Sequence, residues 1–259
     1  MKNIWTLTLF ELKRTLTSKM LMIYTLIFIA NYVLTAVTFN VYGADMTVIT
    51  GQAQSFSVEM LQSSLTLTAV FVGIYVGQVL IQERNSGTIK FVLLRSVSRL
   101  QYYITRILSI FLFSLLLTAI MIVIGYVVGI LFFGWGDTFV FYSVVTSGWH
   151  GIGITLLSGL AFAFAYFIFG LIALWLSQFI QRISTLAMIM GMSTLIGQYV
   201  VIYPQIKQYV IFQHLLFFHI DLFEKPFLYN VTSFSVLVVY LLVIGISGYY
   251  LFKKQDLYV

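Results

Sequence analysis

Residues 103–133 read YITRILSIFLFSLLLTAIMIVIGYVVGILFF and contain one charged side chain, that of Arg106. An α-helix rises about 1.5 Å per residue, so about 20 apolar residues cross the hydrocarbon core of a bilayer. This run exceeds that length and has no polar face to turn toward water. It therefore predicts a transmembrane helix.

Five further stretches meet the same criterion of length and apolarity, and the segments between them are more polar. The chain is accordingly predicted to be a single all-α integral membrane domain, residues 1–259, with six transmembrane helices. The largest outer connection is the aromatic-rich loop 204–230. The predicted spans are residues 20–41, 61–82, 103–133, 152–176, 183–203 and 231–252.

The composition supports this class and excludes several others. Hydrophobic residues make up 61% of the chain and charged residues 8%, and the mean hydropathy is +1.01. Soluble domains carry about 25% charged residues. The chain has no cysteine, which rules out disulfides, thiolate metal sites and cysteine catalysis. The net charge of +6 does not indicate nucleic-acid binding, because the basic residues lie beside the apolar spans.

The distribution of basic residues orients the chain. Twelve of the 14 lysines and arginines fall in the N-terminus, the second and fourth connections and the C-terminal tail, which lie on one side of a six-span protein. Only Lys207 and Lys225 fall on the other side. Cytoplasmic loops carry the excess of positive charge, so both termini are predicted to be cytoplasmic.

Residues 1–19 are predicted to form an amphipathic helix in the membrane interface. Trp5, Leu9, Leu12 and Leu16 share one helical stripe. Such a helix places its apolar side in the bilayer and its basic groups near anionic headgroups. Simple anchoring and docking of a partner protein are equally compatible with this pattern.

The cytoplasmic segment 83–102 is the second notable element. Asn85-Ser86-Gly87 is a turn signal, and Thr88 is placed to cap a short helix over 89–94. Ser96 and Ser98 mark a second break before the third span. A solvated, positively charged loop of the kind found in many membrane proteins explains the same residues.

The order of these motifs resembles the permeases of type-two ATP-binding cassette (ABC) export systems. The resemblance covers nearly the whole chain: an amphipathic N-terminal helix, six spans, an aromatic outer loop and a basic tail containing Asp256. Many such permeases carry a proline shortly before the Ser-Arg pair, where this chain has Ser96. The matching positions of the cytoplasmic segment are Glu83, Gly87, Thr88, Leu93, Leu94, Ser98 and Arg99.

The resemblance implies a division of labour between chains. A separate ABC ATPase dimer would bind ATP and magnesium, and a second permease copy or a related permease would complete the path through the bilayer. This chain lacks the G-x-x-x-x-G-K-[ST] loop, so it is expected to be neither an ATPase nor any other enzyme and to hold no cofactor. The residues implied to couple to the ATPase are Glu83, Gly87, Thr88, Lys90, Arg95, Ser98 and Arg99, with Glu11 and Arg14 as secondary candidates.

Two other patterns have structural interpretations. Gly73 and Gly77 form a G-x-x-x-G in the second span, which permits close helix packing and could mark a dimer interface. His150, His214 and His219 lack the H-E-x-x-H spacing of zinc proteases, so no catalytic metal is expected.

The resemblance and the apolar spans together favour ATP-driven export of a hydrophobic or amphipathic substrate, such as a peptide, an antimicrobial or a lipid-like molecule. A multi-pass protein of a bacterial cell membrane is the implied setting. Two alternatives remain: a secondary transporter and a membrane-embedded assembly factor without an ATPase. The first calls for inverted repeats or broken helices with polar midplane residues, and the sequence displays neither.

Overall fold

A computed structural model describes residues 2–43, 51–89 and 97–254. Nine helices of at least 11 residues, a 3-10 helix (Lys207–Tyr209) and one β-hairpin occur in this part of the chain. In chain order the helices are α1 (Lys2–Leu16), α2 (Lys19–Tyr42), α3 (Ala53–Ser63), α4 (Leu65–Asn85), α5 (Arg99–Phe133), α6 (Trp149–Leu176), α7 (Ile183–Val200), α8 (Ile211–Glu224) and α9 (Phe227–Lys254), and the hairpin strands are β1 (Phe139–Phe141) and β2 (Val144–Thr146).

Six of these helices are long and apolar enough to cross a membrane: α2, α4, α5, α6, α7 and α9. The predicted all-α membrane fold is thus confirmed. The alternation of spans brings the α1 helix, the segment after α4 and the C-terminal end of α9 to one side, which the basic residues mark as cytoplasmic. The hairpin and α8 lie on the other side.

The second span differs from its prediction. The expected span 61–82 starts too early, because the helix breaks at Ser64 and a separate helix, α3, precedes it. Residues 53–61 of α3 are all buried although several are polar. Their side chains bond to protein instead of facing lipid: Gln54 donates to the Gly136 carbonyl at 2.6 Å and Ser57 to the Ile122 carbonyl at 2.9 Å.

The outer connection 204–230 is also more ordered than a loop, because it contains α8. This helix packs along α6, where the Ser158 hydroxyl donates to the His219 carbonyl at 3.1 Å. At its far end the Glu224 carboxylate accepts hydrogen bonds from the backbone and side chain of Ser143 in the hairpin. The outer face is therefore built from α3, α8 and the hairpin together.

The core is assembled from aromatic contacts between spans. Tyr75 of α4 stacks on Phe113 of α5 with ring centroids 3.9 Å apart. Tyr24 of α2 stacks on Phe71 of α4 at 4.2 Å. Helices α4 and α6 are the most enclosed spans, whereas α2, α7 and α9 leave wide apolar faces uncovered. In a bilayer those faces contact lipid chains, which are as apolar as the side chains that they meet.

The N-terminal helix packs in a way that its apolar stripe did not reveal. Trp5 and Leu9 are more than half exposed, whereas Thr8, Glu11 and Thr15 are buried against the rest of the chain. One polar stripe of α1, that of Thr8, Glu11 and Thr15, thus faces protein, and its apolar side is left for the membrane. This arrangement matches the interfacial helix that the sequence predicts.

Candidate functional site

The candidate site is a cluster of four charged residues at the cytoplasmic ends of three helices. The cluster consists of Glu11 and Arg14 from α1, Glu83 from the end of α4, and Arg106 from α5. It lies at the start of the segment 83–102, which the sequence singled out. The charges balance, with two carboxylates facing two guanidinium groups.

Arg106 is the centre of this charge cluster. Its side chain is 3% exposed, and its Nη2 donates to Oε2 of Glu83 at 2.5 Å. Its Nη1 lies 3.0 Å from Oε1 of Glu11 as an ion pair, without the alignment of a hydrogen bond. One buried cation therefore joins α5 to both α1 and α4. Without it the two carboxylates would keep only the half-exposed Arg14 as a cation, and an incompletely paired buried ion loses several kcal/mol of solvation.

Tyr102 and Arg14 complete the coordination of Glu83. The Tyr102 hydroxyl donates to Oε2 of Glu83 at 2.9 Å, and Arg14 Nη1 donates to Oε1 at 3.1 Å. Tyr102 precedes Arg106 by four residues, so both project from one face of α5. The Arg106 guanidinium also lies 4.4 Å from the centre of the Tyr102 ring, within cation–π range.

Local structure places each of these side chains. Ser98 and Gln101 form a capping box that fixes the start of α5, in which the Ser98 hydroxyl accepts a hydrogen bond from the Gln101 backbone N–H at 3.2 Å. In α4 the helix becomes π-helical over Gly77–Gln82, immediately before Glu83. A π-helical turn holds one more residue than an α-helical turn, and such turns occur often at functional sites. The π-helical turn therefore determines which side of α4 carries the Glu83 side chain.

The residues after Glu83 tie the site to a second cytoplasmic turn. Arg84 donates to the carbonyls of Gln178 at 3.1 Å and Ile180 at 2.6 Å, and Asn85 donates to the Gln181 carbonyl at 3.1 Å. These acceptors lie in the turn between α6 and α7. The end of α4 is therefore hydrogen-bonded to the turn between α6 and α7.

The structure describes the predicted coupling residues in part. Gly87 has a φ of 71°, as the turn prediction requires. Thr88 is already helical, and its hydroxyl lies 2.6 Å from that of Ser86. Lys90 and Arg95 lie outside the described residues.

The predicted coupling residues thus separate into two groups. Glu83 and Glu11 are buried inside the chain, while Gly87, Thr88 and Ser98 lie nearer to solvent. Arg99 donates to the Lys253 carbonyl at 2.6 Å and so fastens the start of α5 to the end of α9. The buried group contacts the spans through the charge cluster.

Gly73 and Gly77 face another helix of the same chain. A Cβ on Gly73 would lie 3.0 Å from the Ala187 Cα, and one on Gly77 would lie 2.9 Å from Cγ2 of Ile183. Both contacts belong to the packing of α4 against α7. The glycines accordingly permit a close helix crossing within one copy of the chain.

The three histidines do not come together. His150 is exposed at the start of α6, whereas His214 and His219 are buried in α8. Burial lowers the pKa of His219 to about 3 and that of His214 to about 4. In the described part of the chain, no group of three or more potential metal ligands is found.

Sequence reasoning missed Arg106 and Tyr102 as site residues. Arg106 was counted among the cytoplasmic basic residues, where a positive charge needs no special partner. The available signal was its place three residues inside the predicted span 103–133, because a charge inside a span requires a counter-ion. Glu83, the nearest acidic residue at that side of the membrane, supplies it.

One protein family matches the chain: DUF2705, described as a protein of unknown function, over residues 20–258. The match begins just after α1 and includes all six spans. The chain belongs to this family. No curated protein matches it.

Proposed function

We propose that this member of the DUF2705 family is the membrane subunit of an ABC-type exporter, with ATP hydrolysed by a separate chain. The observation that carries the proposal is the charge cluster of Glu11, Arg14, Glu83 and Arg106 beside an exposed cytoplasmic turn. A permease driven by another protein needs a surface to receive force and a rigid connection from that surface to its spans. The turn and the cluster supply these two parts.

The connection is rigid because its polar groups are paired at short range. Glu83 accepts from Arg14, Tyr102 and Arg106, and the following residue, Arg84, holds the turn between α6 and α7. Buried networks of ion pairs and hydrogen bonds favour one geometry, since each displaced group would lose its partner in a low dielectric. Movement of the turn would then move α4 and α5 together.

The contact with the ATPase is assigned to the exposed residues Gly87, Thr88 and Ser98, along with Lys90, Arg95 and Arg99. Glu83, Glu11 and Arg14 are assigned to transmission instead. The substrate would be hydrophobic or amphipathic, since the chain's wide uncovered surfaces on α2, α7 and α9 are apolar. A second permease would cover part of those surfaces, and a bacterial cell membrane is the proposed location.

The test is purification of the tagged full-length chain with an ATPase partner, combined with ATP-dependent transport in vesicles. Gly87→Val forces a β-branched residue to a φ of 71°, and Thr88→Ala removes the adjacent hydroxyl. We expect either change to lower ATPase recovery or transport at least about ten-fold, the effect of losing about 1.4 kcal/mol of binding energy.

Gly134→Val is the matched control. Gly134 has a φ of 73° and, like Gly87, no neighbouring atom within 4 Å of an added Cβ, but it follows α5 on the outer side. It should impose similar local strain without affecting the ATPase. Retention of both complex formation and coupled transport in the Gly87 and Thr88 variants would show that the coupling assignment is wrong.

A further inference from the structure

A cavity of about 180 Å³ with polar and apolar walls lies beside the charge cluster, in the elbow between α1 and α2. One water occupies about 30 Å³, so the cavity is large enough for a ligand. Its polar wall contains Glu11, Arg14 and Gln78, and its apolar wall contains Met20, Tyr24 and Phe113. The cavity therefore offers charged and apolar surfaces side by side at the cytoplasmic boundary of the membrane.

The charged groups of the wall have unused bonding capacity. Arg14 makes one hydrogen bond within the described residues, which Nη1 donates to Glu83. Its Nη2 and Nε therefore remain available. The Arg14 side chain is 52% exposed. Oε2 of Glu11 has Arg14 Nη1 at 3.9 Å, too far for a hydrogen bond. The cavity thus presents donors for an anion and, a few ångströms away, an acceptor for a cation.

The backbone adds to the anion-binding side. Met20 and Leu21, in the first turn of α2, line the cavity, and the Leu21 N–H is capped by the Ser18 hydroxyl at 3.2 Å. The preceding N–H groups at a helix start have no intrahelical acceptor, and the positive end of the helix dipole favours an anion there.

Tyr24 also lines the cavity. The residue is 3% exposed, and its hydroxyl has no hydrogen-bond partner in the part of the chain that is described. A buried hydroxyl without a partner is unfavourable by about 1–3 kcal/mol.

We infer that the elbow cavity binds the headgroup of a zwitterionic phospholipid with a primary ammonium, phosphatidylethanolamine. The phosphate would lie between Arg14 and the start of α2, and the ammonium would face Glu11. Ile23 and Ile27 follow Met20 on the same side of α2 at i+3 and i+7 and are exposed, so they provide an apolar path for the acyl chains. This inference does not depend on the proposed transport function.

The charges of the wall discriminate between headgroups. A choline headgroup has no N–H to donate to Glu11. In a lipid with a glycerol headgroup, no ammonium balances the negative charge of the phosphate. The Glu11 carboxylate then repels the headgroup. The site should therefore enrich phosphatidylethanolamine over phosphatidylcholine and phosphatidylglycerol.

The experiment reconstitutes the full-length chain in nanodiscs that contain equal amounts of the three lipids. After extraction into detergent, native mass spectrometry measures the lipid that remains bound. We expect phosphatidylethanolamine to predominate, and Arg14→Gln to lower its retention at least about ten-fold through loss of a charge-assisted hydrogen bond. Lys13→Gln, an equal loss of charge at an exposed neighbour outside the cavity, should have no such effect.

A second variant tests the cavity without altering its charges. Gln78→Trp fills the space and should displace the lipid, while thermal unfolding shows whether the chain remains folded. Equal retention of the three lipids, or unchanged retention in both Arg14→Gln and Gln78→Trp, would overturn the inference. Soluble glycerophosphoethanolamine that binds as tightly as the lipid would overturn the assignment to a membrane lipid.

Discussion

At the scale of single residues, Arg106 is the buried cation that joins α5 to α1 and α4. It is the fully enclosed cation of a cluster in which two carboxylates depend on it. Replacing a whole buried ion pair by apolar residues is often neutral, but removing one partner leaves an uncompensated charge. The consequence of a substitution here should therefore depend on which charges remain.

We predict that Arg106→Gln lowers the free energy of unfolding by about 3–5 kcal/mol, because Glu83 and Glu11 stay buried with only the half-exposed Arg14 as a cation. Thermal unfolding of the detergent-purified chain measures the change. Arg182→Gln removes an exposed arginine near the same side of the membrane and should leave the unfolding midpoint unchanged. Equal midpoints for the two variants would contradict a structural role for the cluster.

Two buried histidines predict how stability depends on pH. Burial lowers the pKa of His219 from 6.5 to about 3, so the unfolded chain takes up its proton first as the pH falls. Stability should be intact above about pH 6.5 and decline below it. At pH 5 the loss from His219 alone would be about 2 kcal/mol.

His219→Phe is expected to flatten this decline, because phenylalanine keeps the aromatic packing against Phe162 but cannot be protonated. The measurement is the unfolding midpoint between pH 7.5 and 5. Burial raises the pKa of Asp221, but Asp221 is common to both proteins, as are His214 and Glu224. The difference between the two pH profiles therefore isolates His219. His150→Phe, at an exposed position, serves as the control, and an identical pH profile in all three proteins would refute the prediction.

At the scale of helices, hydropathy located the spans, but it could not locate the helices that bury polar faces. Helix α3 escaped prediction because Gln54, Ser57 and similar residues lower its hydropathy, yet they bond to the carbonyls of α5 and of the turn before the hairpin.

For α1, periodicity found the apolar stripe that faces the membrane. The polar stripe, with Glu11 and Thr15, proved to be the side that packs against protein. Such pairings depend on partners far away in the chain.

The packing of α4 against α7 gives a prediction at this scale. Gly73→Leu places a side chain where a Cβ alone would lie 3.0 Å from the Ala187 backbone, so we expect a loss of about 1–3 kcal/mol from overpacking. Gly245→Leu is the control, since Gly245 lies in the membrane-spanning helix α9 with no atom within 4 Å of an added Cβ. The two thermal unfolding midpoints should differ. If they coincide, α4 and α7 do not pack as described.

At the scale of the whole molecule, span number and orientation followed from apolar length and from basic residues in alternate connections, both of which are local properties. The site could be predicted only in part. The turn at Gly87 and the cap at Ser98 have local signatures, whereas the approach of Arg106 to Glu83 and Glu11 depends on how α1, α4 and α5 pack. The resemblance to exporter permeases identified the segment but not its buried support.

The most direct test of the central claim is photocrosslinking from the exposed turn after α4. A photoreactive residue is placed at Ser86, and an equivalent one at Tyr142, which is exposed in the outer hairpin. The crosslinked protein is then identified in membranes of the native host. Our account predicts that Ser86, and not Tyr142, captures a protein with a nucleotide-binding P-loop. Capture of lipid alone at Ser86, or of a protein without such a loop, would contradict it.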